Sequence, residues 1–143
     1  YFARAIDQLE PVTILDTTRE VAADLAAFGL RLIDPYTEIE LDLDATSFED
    51  RAKGIVEGDL ALLRTADAVL MDLSIRGRSY IGCICELVYA FLWNIPSVVY
   101  VGDSGNDNRY WLRYHATRIH KERRAAIGAL ADLLGGQHGR TPL

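Results

Sequence analysis

Between Ser79 and Gly102 the only formally charged residue is Glu86. Its neighbours Ile81, Ile84, Leu87, Val88, Phe91 and Leu92 cover most directions around a helix running from Ile81 to Trp93. A helix that is apolar nearly all round is a largely buried one. Burying an unpaired carboxylate costs roughly several kcal/mol, so such a group is protonated, paired or put to use. The plain alternative is a glutamate at an exposed helix end, or one bonded to a backbone group. A membrane span is dismissed, because Glu86 and Asn94-Ile95-Pro96 interrupt the run, and a spanning helix needs about 20 predominantly apolar residues.

Other reactive side chains give weaker signals. Cys83 and Cys85 stand two apart, without the two-residue spacer of a metal or redox pair. They read as small core residues. His115, His120 and His138 are not spaced as metal ligands beside acids. Arg109-Tyr110-Trp111-Leu112-Arg113-Tyr114 could stack a base or anchor an interface; the interface is the preferred reading. Asp72 ends an apolar run and either touches a ligand or caps the following loop. No Walker or dinucleotide glycine loop is present.

These residues need a scaffold, and the chain alternates in type. Tyr1-Phe2-Ala3 ends a first strand, and Arg4 to Asp16 reads as a loop because Pro11 interrupts it. Thr17 or Thr18 caps a helix to about Phe28, stopped by Gly29. Leu30 to Ile33 is a short second strand, and Glu38 to Asp44 an acidic surface loop. Ser47 to Thr65 is a helix, Ala68 to Met71 a buried parallel strand, and Ser74 to Ser79 a loop. Ser97 to Val101 is a further strand, and Gly102 to Asn108 a loop. Tyr110 to His115 is a short helix or turn. Lys121 to Leu134 is a closing helix, stopped by Gly135-Gly136. The pattern predicts an α/β, doubly wound, flavodoxin/Rossmann-like parallel sheet of about five strands with helices on both faces. Ligands of such sheets sit beyond the carboxyl ends of the strands, which gathers Arg4 to Asp7, Asp72 to Ser79 and Gly102 to Asn108 around one cleft.

Composition narrows the partners. The chain has 143 residues, half of them apolar, and a net charge of −6. One domain, residues 1–143, accounts for that length without linkers or repeats. The acidic balance argues against a nucleic-acid polymer, whose binding needs a cationic face, but leaves room for one nucleoside or nucleotide. Two cysteines cannot form a secreted disulfide framework. With no visible signal peptide and a start at Tyr1 that suggests trimming, the expected location is cytoplasmic.

The string Gly82-Cys83-Ile84-Cys85-Glu86-Leu87-Val88-Tyr89-Ala90, followed by Asn94-Ile95-Pro96-Ser97-Val98, resembles the signature of the nucleoside 2-deoxyribosyltransferase superfamily. That signature is a Gly, three residues, Glu-Leu-Gly-Tyr-Ala, then a Gly-Lys-Pro turn into a strand. Upstream, Asp59-Leu60 followed by Ala66-Asp67-Ala68-Val69 resembles its acidic segment, and Tyr1-Phe2-Ala3 its first strand. Asn108 lies in the loop where the transferases carry an Asn. These marks run from Tyr1 to about Ile119.

The resemblance implies that Glu86 is a nucleophile toward the anomeric carbon, forming a glycosyl-enzyme ester. A second base then takes the sugar in a transferase, or water takes it in a hydrolase. Asp59 would contact and protonate the leaving base, Tyr1 would orient Glu86, and Asn108 would meet the 5′ side of the sugar. Gly82 belongs to the motif. No cofactor or metal is implied, and a homodimer or higher even-numbered homo-oligomer is. Departures from the pattern bear on the branch. The usual aspartate six residues before the nucleophile is Tyr80 here, preceded by Ser79. The related nucleotide N-glycosidases carry a Ser in this region that meets a 5′-phosphate. Arg4, Arg78 and Ser79 are thus a possible phosphate pocket, with solvated loop charge as the plain alternative for the arginines. Three readings follow: a nucleoside 2-deoxyribosyltransferase, a nucleoside 5′-monophosphate N-glycosidase, and a non-catalytic nucleotide-sensing domain.

Overall fold

The computed structural model describes residues 1–39, 44 and 47–138. Four short strands form one parallel sheet in the order β1-β2-β3-β4. They are β1 (Phe2–Arg4), β2 (Val69–Asp72), β3 (Ser97–Tyr100) and β4 (Arg118–His120). Phe2 pairs with Leu70 and Arg4 with Asp72, and Asp72 in turn pairs with Tyr100. Among the described residues the six α-helices are α1 (Pro11–Ala26), α2 (Pro35–Glu38), α3 (Phe48–Thr65), α4 (Ile81–Leu92), α5 (Tyr110–His115) and α6 (Arg123–His138), with a short 3-10 helix at Asn106–Asn108.

Alternation along the strands splits the core in two, because successive side chains point to opposite faces. Ala3, Val69, Met71 and Val99 pack with Leu63 of α3, Cys83 and Leu87 of α4, and Leu112 of α5. Phe2, Leu70, Val98 and Tyr100 pack on the other face with Val21 and Leu25 of α1 and Ile127 and Leu130 of α6. Helices therefore cover both faces of a parallel α/β sheet, as the pattern requires.

The sheet has four strands, not five. Leu30 to Ile33, predicted as a strand, is not one: it gives β1 a single backbone hydrogen bond, from the Phe2 N–H to the Ile33 carbonyl (2.9 Å). Beside a three-residue β1 there is little ladder to build. Conversely, β4 pairs with β3 although Arg118 and His120 gave no apolar run. The Leu30–Ile33 segment still flanks β1 on the side away from β2. The chain thus leaves β1 in one direction and reaches β2 in the other, which is the switch point where such folds form a crevice.

Two helix boundaries differ from expectation. Pro11 opens α1 rather than breaking it, since the first helical position needs no N–H. Thr17 and Thr18 lie inside that helix, their hydroxyls bonded back to the Thr13 and Ile14 carbonyls (3.0 and 2.9 Å). The α6 helix runs through Gly135-Gly136 to His138. The predicted helix from Ser47 has Ser47 as its cap, accepting from the Asp50 N–H at 3.0 Å. Of the acidic stretch Glu38 to Asp44, residues 40–43 lie outside the described residues. The α4 helix ends in a Schellman turn: Asn94 takes φ 58°, and the Ile95 N–H reaches the Ala90 carbonyl at 2.8 Å.

Candidate active site

A cavity of about 470 Å³ opens at the carboxyl end of β1, between α2, α3 and α4. That volume suits a small organic ligand. Seven of the ten site residues expected from sequence converge there. Glu86, Asp59, Arg4, Ser79, Tyr80 and Gly82 line it, and Tyr1, outside the lining, joins them through its bond to Glu86.

Tyr1 is buried at the foot of β1. Its Oη donates to Glu86 Oε1 at 2.5 Å, a short bond of the charge-assisted kind. Burial is the main cause pushing the Glu86 carboxyl from 4.5 up to about 7. The Tyr1 hydroxyl opposes that rise by favouring the charged form, and the nearby Asp59 charge adds to it. Asp59 itself is pushed by burial from 3.8 up to about 6. Burial, the Glu86 charge and their hydrogen bond hold the Tyr1 phenol far above its ordinary range, so it stays a donor. The cavity therefore holds two carboxyl groups titrating near neutrality, one of them oriented by a phenol. Such a pair can supply a nucleophile and a proton donor at neutral pH.

The rest of the wall is less reactive. Arg4 Nη2 donates to Asp34 Oδ2 and to Thr18 Oγ1, both at 2.8 Å. This is a buried ion pair. The guanidinium also sits 4.5 Å from the centre of the Phe2 ring. Arg4 Nε and Nη1 have no partner among the described residues. Asp34 is further held by the Tyr36 N–H at 3.1 Å, as the cap of α2. Gly82 leaves room, since a Cβ there would meet nothing within 4 Å.

Tyr80, standing where the family carries an aspartate, closes its own loop. Its Oη accepts from the Ile75 N–H at 2.9 Å and donates to the Ile75 carbonyl at 3.3 Å. Burial raises its phenol.

Besides Tyr1, three expected residues lie outside the cavity lining. Asp72 Oδ1 accepts from the Ser74 N–H (2.9 Å) and the Ser74 hydroxyl (2.6 Å), so it caps the loop after β2. Arg78 is spent on the Asp7 carbonyl. Asn108 is exposed in a turn, its N–H on the Gly105 carbonyl at 3.3 Å. The suggested phosphate pocket of Arg4, Arg78 and Ser79 is thus not assembled: one arginine is paired and the other turned to a loop. Sequence reasoning passed over Asp34. An Asp immediately before a Pro is a helix-cap signal, and that signal was available.

Among the described residues no group of three or more His, Cys, Asp or Glu could hold a metal ion. No described helix is long and apolar enough to cross a membrane.

No protein-family model matches the chain, and no curated protein does. A solved structure does. The fold is similar to that of a 2-deoxyribosyltransferase from the psychrotolerant bacterium Bacillus psychrosaccharolyticus, a biocatalyst for nucleoside synthesis. The TM-score is 0.67 at 16% identity, covering 92% of this chain and 89% of that one. The likeness is one of fold. It is the fold that the motif resemblance implied.

Proposed function

We propose that this chain is one nucleoside 2-deoxyribosyltransferase-like domain over residues 1–143, and that it moves a deoxyribosyl group between bases through an ester on Glu86. One observation carries the reading: a carboxylate of raised pKa, held by the Tyr1 hydroxyl at 2.5 Å, shares a ligand-sized cavity with a second raised carboxyl. Residues far apart in sequence meet there, which supports the reading.

In the first half, a Glu86 carboxylate oxygen attacks C1′ of the nucleoside. The C1′–N bond breaks, its electron pair goes to the base, and Asp59 supplies the proton. In the second half, a nitrogen of the acceptor base attacks C1′. The ester bond breaks, its electrons return to Glu86, and Asp59 takes the proton from the incoming base. Tyr1 holds Oε1 throughout, so the attacking geometry is set before substrate arrives. Productive protein carries Glu86 ionised and Asp59 protonated. With the two groups near 7 and 6, kcat/KM should peak between those values and fall on both sides.

The lining also bears on the branch. Asp7, Asp34, Asp59 and Glu86 face one cation, Arg4, which is already paired with Asp34. A 5′-phosphate dianion would meet net negative charge, so this reading favours neutral nucleosides over monophosphates. The assembly is taken to be a homodimer or higher even-numbered oligomer, and the location cytoplasmic.

The test is base release from deoxynucleosides and from their 5′-monophosphates, with and without an acceptor base. The expected result is base exchange on nucleosides, abolished in Glu86→Gln. Unchanged turnover in that variant refutes the nucleophile. Free sugar as the product despite excess acceptor refutes transfer in favour of hydrolysis. Ligand binding with no turnover on any substrate leaves only the sensing role.

A further inference from the structure

Part of the cavity wall is made of apolar side chains that the core does not use. α2 contributes Tyr36 and its cap Ile39, and α3 contributes Ile55 beside Asp59. Neither core takes in Tyr36, Ile39 or Ile55. Tyr36 is 36% exposed and Ile55 42%, so both present apolar surface to whatever fills the cavity. Asp59 is the one acid of the four. Ile55 stands four positions before it, which puts the two on one face of α3, about 6 Å apart along the axis. An apolar slot therefore runs one helical turn outward from the acid.

Gly58 accounts for the width of that slot. A glycine inside a helix is unfavourable relative to alanine, so its place calls for a reason in the packing. A Cβ on Gly58 would lie 3.2 Å from Ile39 Cδ1 and 3.4 Å from Ile39 Cγ2, closer than carbon atoms comfortably approach. The bare glycine lets Ile39 lie back against α3. Gly54, one turn earlier, has nothing within 4 Å of its own Cβ position and plays no such part. Because Ile39 also lines the cavity, bulk added at Gly58 displaces the wall itself.

We propose that this slot seats the base, that it is built for a fused two-ring base of the purine kind, and that Gly58 and Ile39 set its width. The placing of the base rests on the reading above, in which Glu86 meets C1′ and Asp59 meets the base. From Asp59 the base extends along Ile55. A single six-membered ring leaves the Ile55 end of the slot unfilled, whereas a fused pair reaches it and covers the Tyr36 and Ile39 side chains. Contact of a flat ring with apolar and aromatic side chains gains with the area covered.

Base exchange, and calorimetric binding of free adenine and thymine, both on the full chain, test the proposal. The wild type should use purine deoxynucleosides at least about 10-fold better than pyrimidine ones in kcat/KM, the scale on which an apolar pocket discriminates size. Gly58→Ala should lower the purine value about 10-fold and the pyrimidine value by less than about 3-fold. Adding Ile39→Val, which removes Cδ1, should restore the purine value. Gly54→Ala controls for alanine in the same helix and should change neither, with circular dichroism checking the fold of each variant. A wild type that favours pyrimidines overturns the two-ring assignment. Equal losses for both classes of base, or no recovery in the double variant, overturn Gly58 and Ile39 as the gauge. Adenine binding that Gly58→Ala weakens about 10-fold, in a chain that exchanges no base, would refute the chemistry proposed above and leave the slot standing. A chain that binds no free base and exchanges none overturns the slot as well.

Discussion

Glu86→Gln should make the protein more stable while ending its turnover. The Glu86 carboxyl titrates at about 7 in the folded protein against 4.5 ordinarily, chiefly through burial. Between those values the folded state holds a proton that the unfolded chain has lost. Stability therefore falls as pH rises through that window. A shift of about 2.5 at 1.36 kcal/mol per unit gives roughly 3 kcal/mol, absent below the window and complete above it. Glutamine keeps the shape, carries no charge, and still accepts the Tyr1 hydroxyl. Urea denaturation of both proteins at pH 4.5 and above pH 7 reads the difference. The variant should match the wild type at the lower pH and exceed it by roughly 2–3 kcal/mol at the higher. Asp59 is common to both proteins, so its own titration largely cancels. An equal stability difference at the two pH values would refute the burial argument. A variant less stable only above pH 7 would show that the ionised carboxylate gains more from the Tyr1 hydroxyl than it loses to desolvation.

Other substitutions probe the supports of the site. Tyr1→Phe removes a hydrogen bond to a charged acceptor, worth about 1.5–3 kcal/mol, so kcat/KM should drop about 10- to 100-fold. Because the hydroxyl favours ionised Glu86, and the higher of the two values sets the alkaline limb of the pH profile, that limb should also move upward; an unmoved limb speaks against the contact. Asp34→Ala strands the Arg4 guanidinium in a buried place and should cost about 3–5 kcal/mol in urea denaturation. The double change Arg4→Met, Asp34→Leu should recover most of that loss, and a double as unstable as the single would argue against an unpaired charge as the cause.

Glu86, Asp59 and Tyr1 were legible because their types and order resembled a known pattern, and because a lone acid in an apolar helix is costly wherever it sits. Asp34 was not. Its role depends on Arg4, thirty positions away and on another element, and local spacing carries no trace of that pairing. Asp72 was expected at the ligand because it ends a strand on the correct edge of the sheet, and Arg78 and Asn108 because the family resemblance placed a phosphate and a sugar contact in their loops. Asp72 instead satisfies its own loop and Arg78 a neighbouring one, while Asn108 is exposed away from the cavity. Polar side chains at strand ends must bond something, and the nearest backbone groups bind first.

The sequence by itself determined the alternation of strands and helices, the burial of the sheet, and the anomaly of Glu86, since periodicity and desolvation are local properties. It also determined that α4 is apolar nearly all round, Glu86 apart. Only the tertiary structure decided that Leu30–Ile33 forms no ladder, that β4 exists, and that Tyr1 reaches across 85 positions to Glu86. Strand pairing and a raised pKa are properties of neighbours in space. The chain cannot express them until β1, α3 and α4 close around one cavity.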